Sequence, residues 1–176
     1  IPFFDTVVFA VVGPLAFIFL NALSMKRQIF TAMEAPREPG KPYNLGTVFF
    51  PISLLILVLV TFTTGVPVWI GGLGILVLGW GDGMAAITGM VAGTSRYAVF
   101  GQRKSVQGSL AMFLFSLLVL LTYSYIHLSD ATGTILLAAV ATAAVATLTE
   151  SLTPLGLDNL TIPLVTSLFY YGVFYL

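Results

Sequence analysis

Charge is close to absent from this chain, and that limits what it can fold into more than any other feature. Seven Lys/Arg and seven Asp/Glu make up 8% of 176 residues, while 58% are hydrophobic and mean hydropathy is +1.03. A water-soluble domain coats itself with about 25% charged residues. A soluble globule, a disordered tail and a nucleic-acid binder are therefore excluded, and a polytopic membrane protein remains. A spanning helix needs about 20 mostly apolar residues. Six segments qualify: residues 3–23, 47–64, 66–91, 109–128, 131–150 and 159–176. The first has neither a basic leader nor a small-residue cleavage site, so it reads as a span and not a signal peptide. The expected fold is all-α: one transmembrane domain over residues 1–176, built as a six-helix bundle. With no cysteine, disulfides, thiolate zinc sites and thiol nucleophiles are excluded.

Zero net charge says nothing about partners, but the positions of the charges do. The connections around Gly65 and at Ser129–Asp130 are very short and define one side. The longer connections 24–46, 92–108 and 151–158 define the other. Lys26, Arg27, Arg37, Lys41, Arg96, Arg103 and Lys104 all fall on that second side. The positive-inside rule makes it cytoplasmic and puts both ends of the sequence outside. Five acids, Glu34, Glu38, Asp82, Glu150 and Asp158, lie on or open toward the same side, whereas Asp5 and Asp130 sit at the outer rim. An enzyme acting on extracellular sugars or peptides is disfavoured.

Asp82 stands out. It lies in Gly79-Trp80-Gly81-Asp82-Gly83, about eight residues or ~12 Å from the cytoplasmic end of its span. A bare carboxylate at such depth costs about 2.5–3.5 kcal/mol, so it pairs with another helix or serves a site. A Mg²⁺ ligand in a polar cavity is the functional reading, since hard cations take carboxylate oxygens. The glycines of this segment permit close helix packing, with Gly89 and Gly93 at the matching spacing; Gly81 and Gly83, flanking the acid, suit close approach of a ligand or metal. The loop that follows places Arg96, Arg103, Lys104, Ser105, Gly108 and Ser109 at the start of a helix. Backbone N–H groups there, with Lys and Arg, suit a polyphosphate. It is not a Walker A loop, because Arg103 and not Gly precedes Lys104. Glu150 and Asp158-Asn159 come to the same level; Asp158 either caps the sixth helix or joins Asp82 and Glu150 at a divalent ion. His127 and the aromatic tail Phe169, Tyr170, Tyr171, Phe174 and Tyr175 read as an interfacial belt without catalytic role.

Gly81-Asp82-Gly83-Met84-Ala85-Ala86 with Gly89 and Gly93, and Lys104-Ser105-Val106-Gln107-Gly108-Ser109-Leu110-Ala111-Met112-Phe113, resemble the signature of the polyprenol kinases. This group comprises phytol, farnesol and dolichol kinases and CTP-dependent diacylglycerol kinases, and is distantly related to the CDP-diacylglycerol synthases. Tyr43-Asn44-Leu45-Gly46-Thr47 and Glu150-Ser151-Leu152 with Asp158-Asn159-Leu160-Thr161-Ile162-Pro163 are similar to it in the same order. The resemblance implies an integral membrane enzyme (in the cell membrane if the source is prokaryotic) whose site faces the cytoplasm. It would use Mg²⁺ and transfer the γ-phosphate of a nucleotide, typically CTP, to a lipid alcohol. Asp82, Lys104 and Asp158 are then the candidate catalytic residues. Arg103, Lys104, Ser105, Gly108, Ser109 and Asn159 are candidates for the nucleotide, and Asp82, Asp158 and Glu150 for the metal. Asn44 and Trp80 are candidates for the lipid substrate.

Two departures matter. The family pattern has Glu where this chain has Gln107, which moves proton acceptance to Asp82, Asp158 or Glu150. An Arg-Lys…His element that precedes the family's first spans is not in this sequence, which implies a trimmed N-terminus or a seventh, leading helix. CDP-alcohol phosphotransferases are excluded by Ile87, Phe100 and Lys104, which stand where that motif needs one Arg and two Asp. The alternatives are a CTP-dependent diacylglycerol kinase, a cytidylyltransferase forming a CDP-lipid, and a small transporter.

Overall fold

A computed structural model describes residues 7–27, 45–100, 102–129, 132–154 and 156–176. Six helical rods result: α1 (Val7–Arg27), α2 (Gly46–Thr63), a compound rod, α5 (Val106–His127), α6 (Thr132–Leu152) and α7 (Asp158–Tyr175). The compound rod joins α3 (Val68–Leu76), a π-helical turn (Val77–Asp82) and α4 (Gly83–Ala92). A small antiparallel hairpin, β1 (Arg96–Val99) and β2 (Gln102–Ser105), links α4 to α5. All rods but α7 are long and apolar enough to cross a membrane. The expected six rods are present with bounds close to those read from hydropathy; the sixth, which opens on Asp158-Asn159 and carries Pro163, falls short on apolarity. The hairpin was read from sequence only as a loop.

The bundle is inverted relative to a soluble one. Leu110, Leu114 and Leu118 of α5 and Leu137 and Leu148 of α6 are exposed, whereas small and polar residues are buried beside Met112, Leu120 and Ile135. Ala138, Ala139, Thr142, Ala143 and Ala146 line one buried stripe of α6, and Ala111, Ser116 and Ser124 are buried on α5, the helix packed against it. Lipid chains are as apolar as leucine, so helices associate in a bilayer through close backbone approach and hydrogen bonds. The α3–α7 contact shows both. A Cβ at Gly74 would strike the Pro163 carbonyl and the Ser167 hydroxyl, and Ser167 Oγ donates to the Ile70 carbonyl at 2.9 Å.

The π turn decides what faces where. It wraps one more residue than an α turn and so re-aims the side chains that follow. Val77, Leu78 and Gly81 point into the bundle, and Trp80 points out, 57% exposed. Gly81 packs on α5: a Cβ there would lie 2.8 Å from Met112 Sδ and 2.5 Å from Ser116 Oγ. The sequence reading gave this glycine to a ligand; helix packing accounts for it instead. Nothing lies within 4 Å of a Cβ at Gly83.

At the end away from the hairpin, Trp69 stacks on His127 with ring centroids 5.0 Å apart and meets Tyr170 edge-on. Tyr170 is fully buried with its hydroxyl on Ser124, so it belongs to the core and not to an interfacial belt. Tyr171 and Tyr175 stack at 5.1 Å.

Gly74→Ala is expected to destabilise the bundle by about 1–3 kcal/mol through overpacking against a backbone carbonyl. Gly83→Ala, in open space on a helix, is expected to be neutral or stabilising by up to ~1 kcal/mol. Thermal unfolding of both in detergent checks the contrast.

Candidate active site

Four helix ends and the hairpin converge on one cavity of about 370 Å³. Gly93 ends α4 in a non-helical conformation (φ −72°, ψ 84°) and lets the chain turn into β1. Strand register pairs Tyr97 with Lys104 and Ala98 with Arg103, so Tyr97 and Lys104 share the inward face while Arg96 and Arg103 are exposed. Ser105 then caps α5: its backbone is extended and its hydroxyl accepts the Gly108 N–H at 3.1 Å. Gly108 brings α5 against α4, since a Cβ there would sit 3.0 Å from the Ala85 carbonyl.

Asp82, Ala85, Ala86, Gly89 and Met90 form the wall given by the compound rod. Arg96, Gln102, Arg103 and Lys104 come from the hairpin, Ser105, Gly108 and Ser109 from the start of α5, Glu150 from α6 and Asp158 from α7. The negative charges of Asp158 and Glu150 act on Asp82 and the positive charge of Lys104 opposes them. Acids and cations thus share one compartment with polar walls.

Lys104 is not free in this structure. Its Nζ donates to Glu150 Oε1 at 2.7 Å and to the Glu150 carbonyl. The two side chains are only 12% and 10% exposed. The carbonyl belongs to the last turn of α6, where it lacks an intrahelical partner and the helix dipole favours a cation. Asp158 Oδ1 accepts the Asn159 N–H at 3.0 Å and Asn159 Nδ2 at 3.2 Å. Asn159 Nδ2 also reaches the Gly156 carbonyl at 3.4 Å, where Gly156 turns the chain with φ +80°. Asp82 makes no hydrogen bond or ion pair among the described residues.

Most of the residues expected from sequence come together: Asp82, Arg103, Lys104, Ser105, Gly108, Ser109, Glu150 and Asp158 all line the cavity. Two do not: Asn159 donates to Asp158 and is not among the lining residues, and Trp80 sits on the exposed surface of the bundle. The expectation for Asn44 falls outside the described residues. Asp158 does not cap α7, whose capping position is Leu157. Gln107 lies outside the cavity: it donates to Thr94 Oγ1 at 2.7 Å and accepts the Ser95 N–H at 3.3 Å, bracing the base of the hairpin. Sequence reasoning did not single out Gln102 or Tyr97. An alternating run around Phe100-Gly101 was the available signal for a hairpin that turns both inward.

No group of three or more His, Asp or Glu gathers as a metal-ligand set among the described residues. Mg²⁺ does not require one: it is held by one or two carboxylates together with substrate phosphates and water. Asp82 and Asp158, both facing the cavity and offering only oxygens, fit that pattern.

The chain is 36% identical over 166 residues to a phytol kinase from Synechocystis sp., an alignment covering 94% of this chain and 70% of the relative. No family model matches the chain. No solved structure matches it. The similarity to that kinase makes the chain a membrane phosphotransferase with an alcohol acceptor. The chain belongs to the polyprenol kinase family, in which the phytol kinases fall.

Breaking the Lys104–Glu150 pair from one side strands a nearly buried charge. Lys104→Met alone is expected to cost about 3 kcal/mol, the low end for a buried pair because the cavity admits water. Lys104→Met with Glu150→Leu is expected to recover most of that loss in thermal unfolding.

Proposed function

We propose that this chain is a CTP-dependent lipid-alcohol kinase that transfers the γ-phosphate of the nucleotide to a prenol of the phytol type, from a site facing the cytoplasm. One observation carries the reading: carboxylates Asp82 and Asp158 and cations Arg96, Arg103 and Lys104 line a single cavity. The relative named phytol kinase supports the prenol. The resemblance of residues 43–163 to the polyprenol kinases supports CTP. The cytoplasmic orientation rests on the sequence, in which every basic residue falls in connections on one side of the six spans, the side that includes Arg96, Arg103 and Lys104.

The acceptor is an amphiphile, so its chain lies among the apolar outer faces of the helices and its hydroxyl meets the cavity. Arg96, Arg103 and Lys104 attract the polyphosphate and neutralise charge spread over the moving phosphoryl group. The capped start of α5, where Ser105, Gly108 and Ser109 border the cavity, turns the positive end of the helix dipole toward the same phosphates. Mg²⁺, held by Asp82 and Asp158 with the polyphosphate, would supply further charge neutralisation. The acceptor oxygen forms a bond to the γ-phosphorus, and the bond from that phosphorus to the β–γ bridging oxygen breaks, its electron pair leaving with the nucleoside diphosphate. The hydroxyl proton passes to Asp82. Asp82 lines the cavity and its side chain has no hydrogen-bond partner among the described residues, which leaves it an oxygen to take the proton.

Asp82→Asn keeps the size of the side chain and removes the basic oxygen. Transfer to a prenol is expected to fall by about 10²- to 10⁴-fold; near-normal activity overturns the mechanism. A panel of γ-labelled CTP, UTP and ATP against phytol, farnesol, longer prenols and diacylglycerol tests the substrates. Label carried into a prenyl monophosphate supports the kinase, whereas a CDP-lipid with release of pyrophosphate replaces it by a cytidylyltransferase.

A further inference from the structure

Tyr97 occupies a place that phosphoryl transfer as described leaves unused. Its hydroxyl lies 2.6 Å from Ser109 Oγ in the first turn of α5 and donates to Ser151 Oγ at 3.0 Å at the end of α6. Ser109 and Ser151 are themselves 3.3 Å apart, and Ser151 Oγ reaches Glu150 Oε2 at 3.4 Å. Glu150 in turn holds Lys104. Since Tyr97 and Lys104 are register partners across the hairpin, two neighbouring inward side chains grip two consecutive residues of α6: Tyr97 takes Ser151 and Lys104 takes Glu150.

The two grips respond differently to a nucleotide. Phosphate oxygens compete with Glu150 for the Lys104 ammonium, which sits on a flexible four-carbon stem. Tyr97 and Ser151 do not line the cavity, so phosphate held there does not reach the hydroxyl between them. Once Lys104 turns to phosphate, Tyr97–Ser151 is the remaining side-chain hydrogen bond between the hairpin and α6 among the described residues. We propose that Tyr97 is a positioning residue for the nucleotide: its hydroxyl holds β2 over the cavity, so that Lys104 meets the polyphosphate without first having to order the strand. This rests on the reading above that Lys104 binds phosphate.

Tyr97→Phe removes the hydroxyl and keeps the ring. The expected result is a rise of about three- to tenfold in KM for CTP, the worth of one hydrogen bond, with kcat at saturating CTP and KM for the lipid alcohol within about twofold of wild type. Ser151→Ala is expected to raise KM for CTP in the same range, and the double variant to fall short of the product of the two effects, because both break the Tyr97–Ser151 contact while each also loses its own contact with Ser109. A purely structural role would lower the unfolding temperature and the active fraction, moving apparent kcat and not KM. Unchanged KM for CTP in both single variants overturns the proposal, as does an equal rise in both substrates' KM. Ser151→Ala carries the test if Tyr97→Phe fails to fold. Lys104→Met measured alongside separates the two claims. If it leaves KM for CTP unchanged, the role of Lys104 fails first; if it raises KM while Tyr97→Phe and Ser151→Ala do not, only the role of Tyr97 falls.

Discussion

A charge without a partner is expensive in a nearly buried place at the end of a lipid-facing bundle, and Lys104 and Glu150, 2.7 Å apart, are each other's partner there. The pair does more than settle two charges. Lys104 sits on β2 and Glu150 on the last turn of α6, so one contact fixes the hairpin against the helix end and closes a wall of the cavity. The Glu150 carbonyl, which the end of α6 leaves without a helical partner, is satisfied by the same ammonium. The geometry of the remaining cations follows: with Lys104 turned inward, strand alternation leaves Arg103 and Arg96 on the open face, at the mouth a polyphosphate must enter.

A second constraint brings the acid to the cations. In a uninterrupted α-helix, the face of the compound rod that packs on α5 through Gly81 and the face that carries Asp82 would be fixed by the 100° step between residues. The π turn from Val77 to Asp82 changes the step at that point. Gly81 can therefore lie against Met112 and Ser116 while Asp82 opens onto the space between α5, α6 and α7. Glycine at 81, 89 and 108 then keeps α4 and α5 close enough for Ser105 and Asp82 to share one small volume. The cavity depends on residues that touch no substrate.

This separates what the sequence could disclose from what it could not. Spans and sidedness are one-dimensional properties: hydropathy placed the six rods within a few residues, and the cations marked the hairpin end before any contact was known. Asp82, Lys104 and Asp158 were legible because charge in an apolar chain needs a reason. Pairing was not legible. Glu150 gave no sign that it would hold Lys104, Asn159 none that it would serve Asp158, and Gly81 looked like ligand space when its neighbour was Met112. Trp80 looked like part of the pocket because it stands two residues from Asp82, but two steps along a helix turn a side chain by about 200°, and Trp80 faces outward. Tyr97 stayed hidden because its partners, Ser109 and Ser151, lie 12 and 54 residues away.

Gln107 shows how a departure from a family pattern can be read once its surroundings are known. If a carboxylate at this position were needed in the cavity, glutamine there would leave the reaction short of an acid. The side chain instead spans Thr94 and Ser95, donating to one through its amide nitrogen and accepting from the other through its oxygen. A glutamate could keep only the accepting half. The amide thus suits a brace at the hairpin base, and the cavity keeps its three carboxylates whatever stands at 107. Of these, Glu150 is held by Lys104, and one oxygen of Asp158 already accepts twice from Asn159. Asp82, the acid that the π turn presents to the cavity, is the carboxylate whose side chain has no hydrogen-bond partner among the described residues.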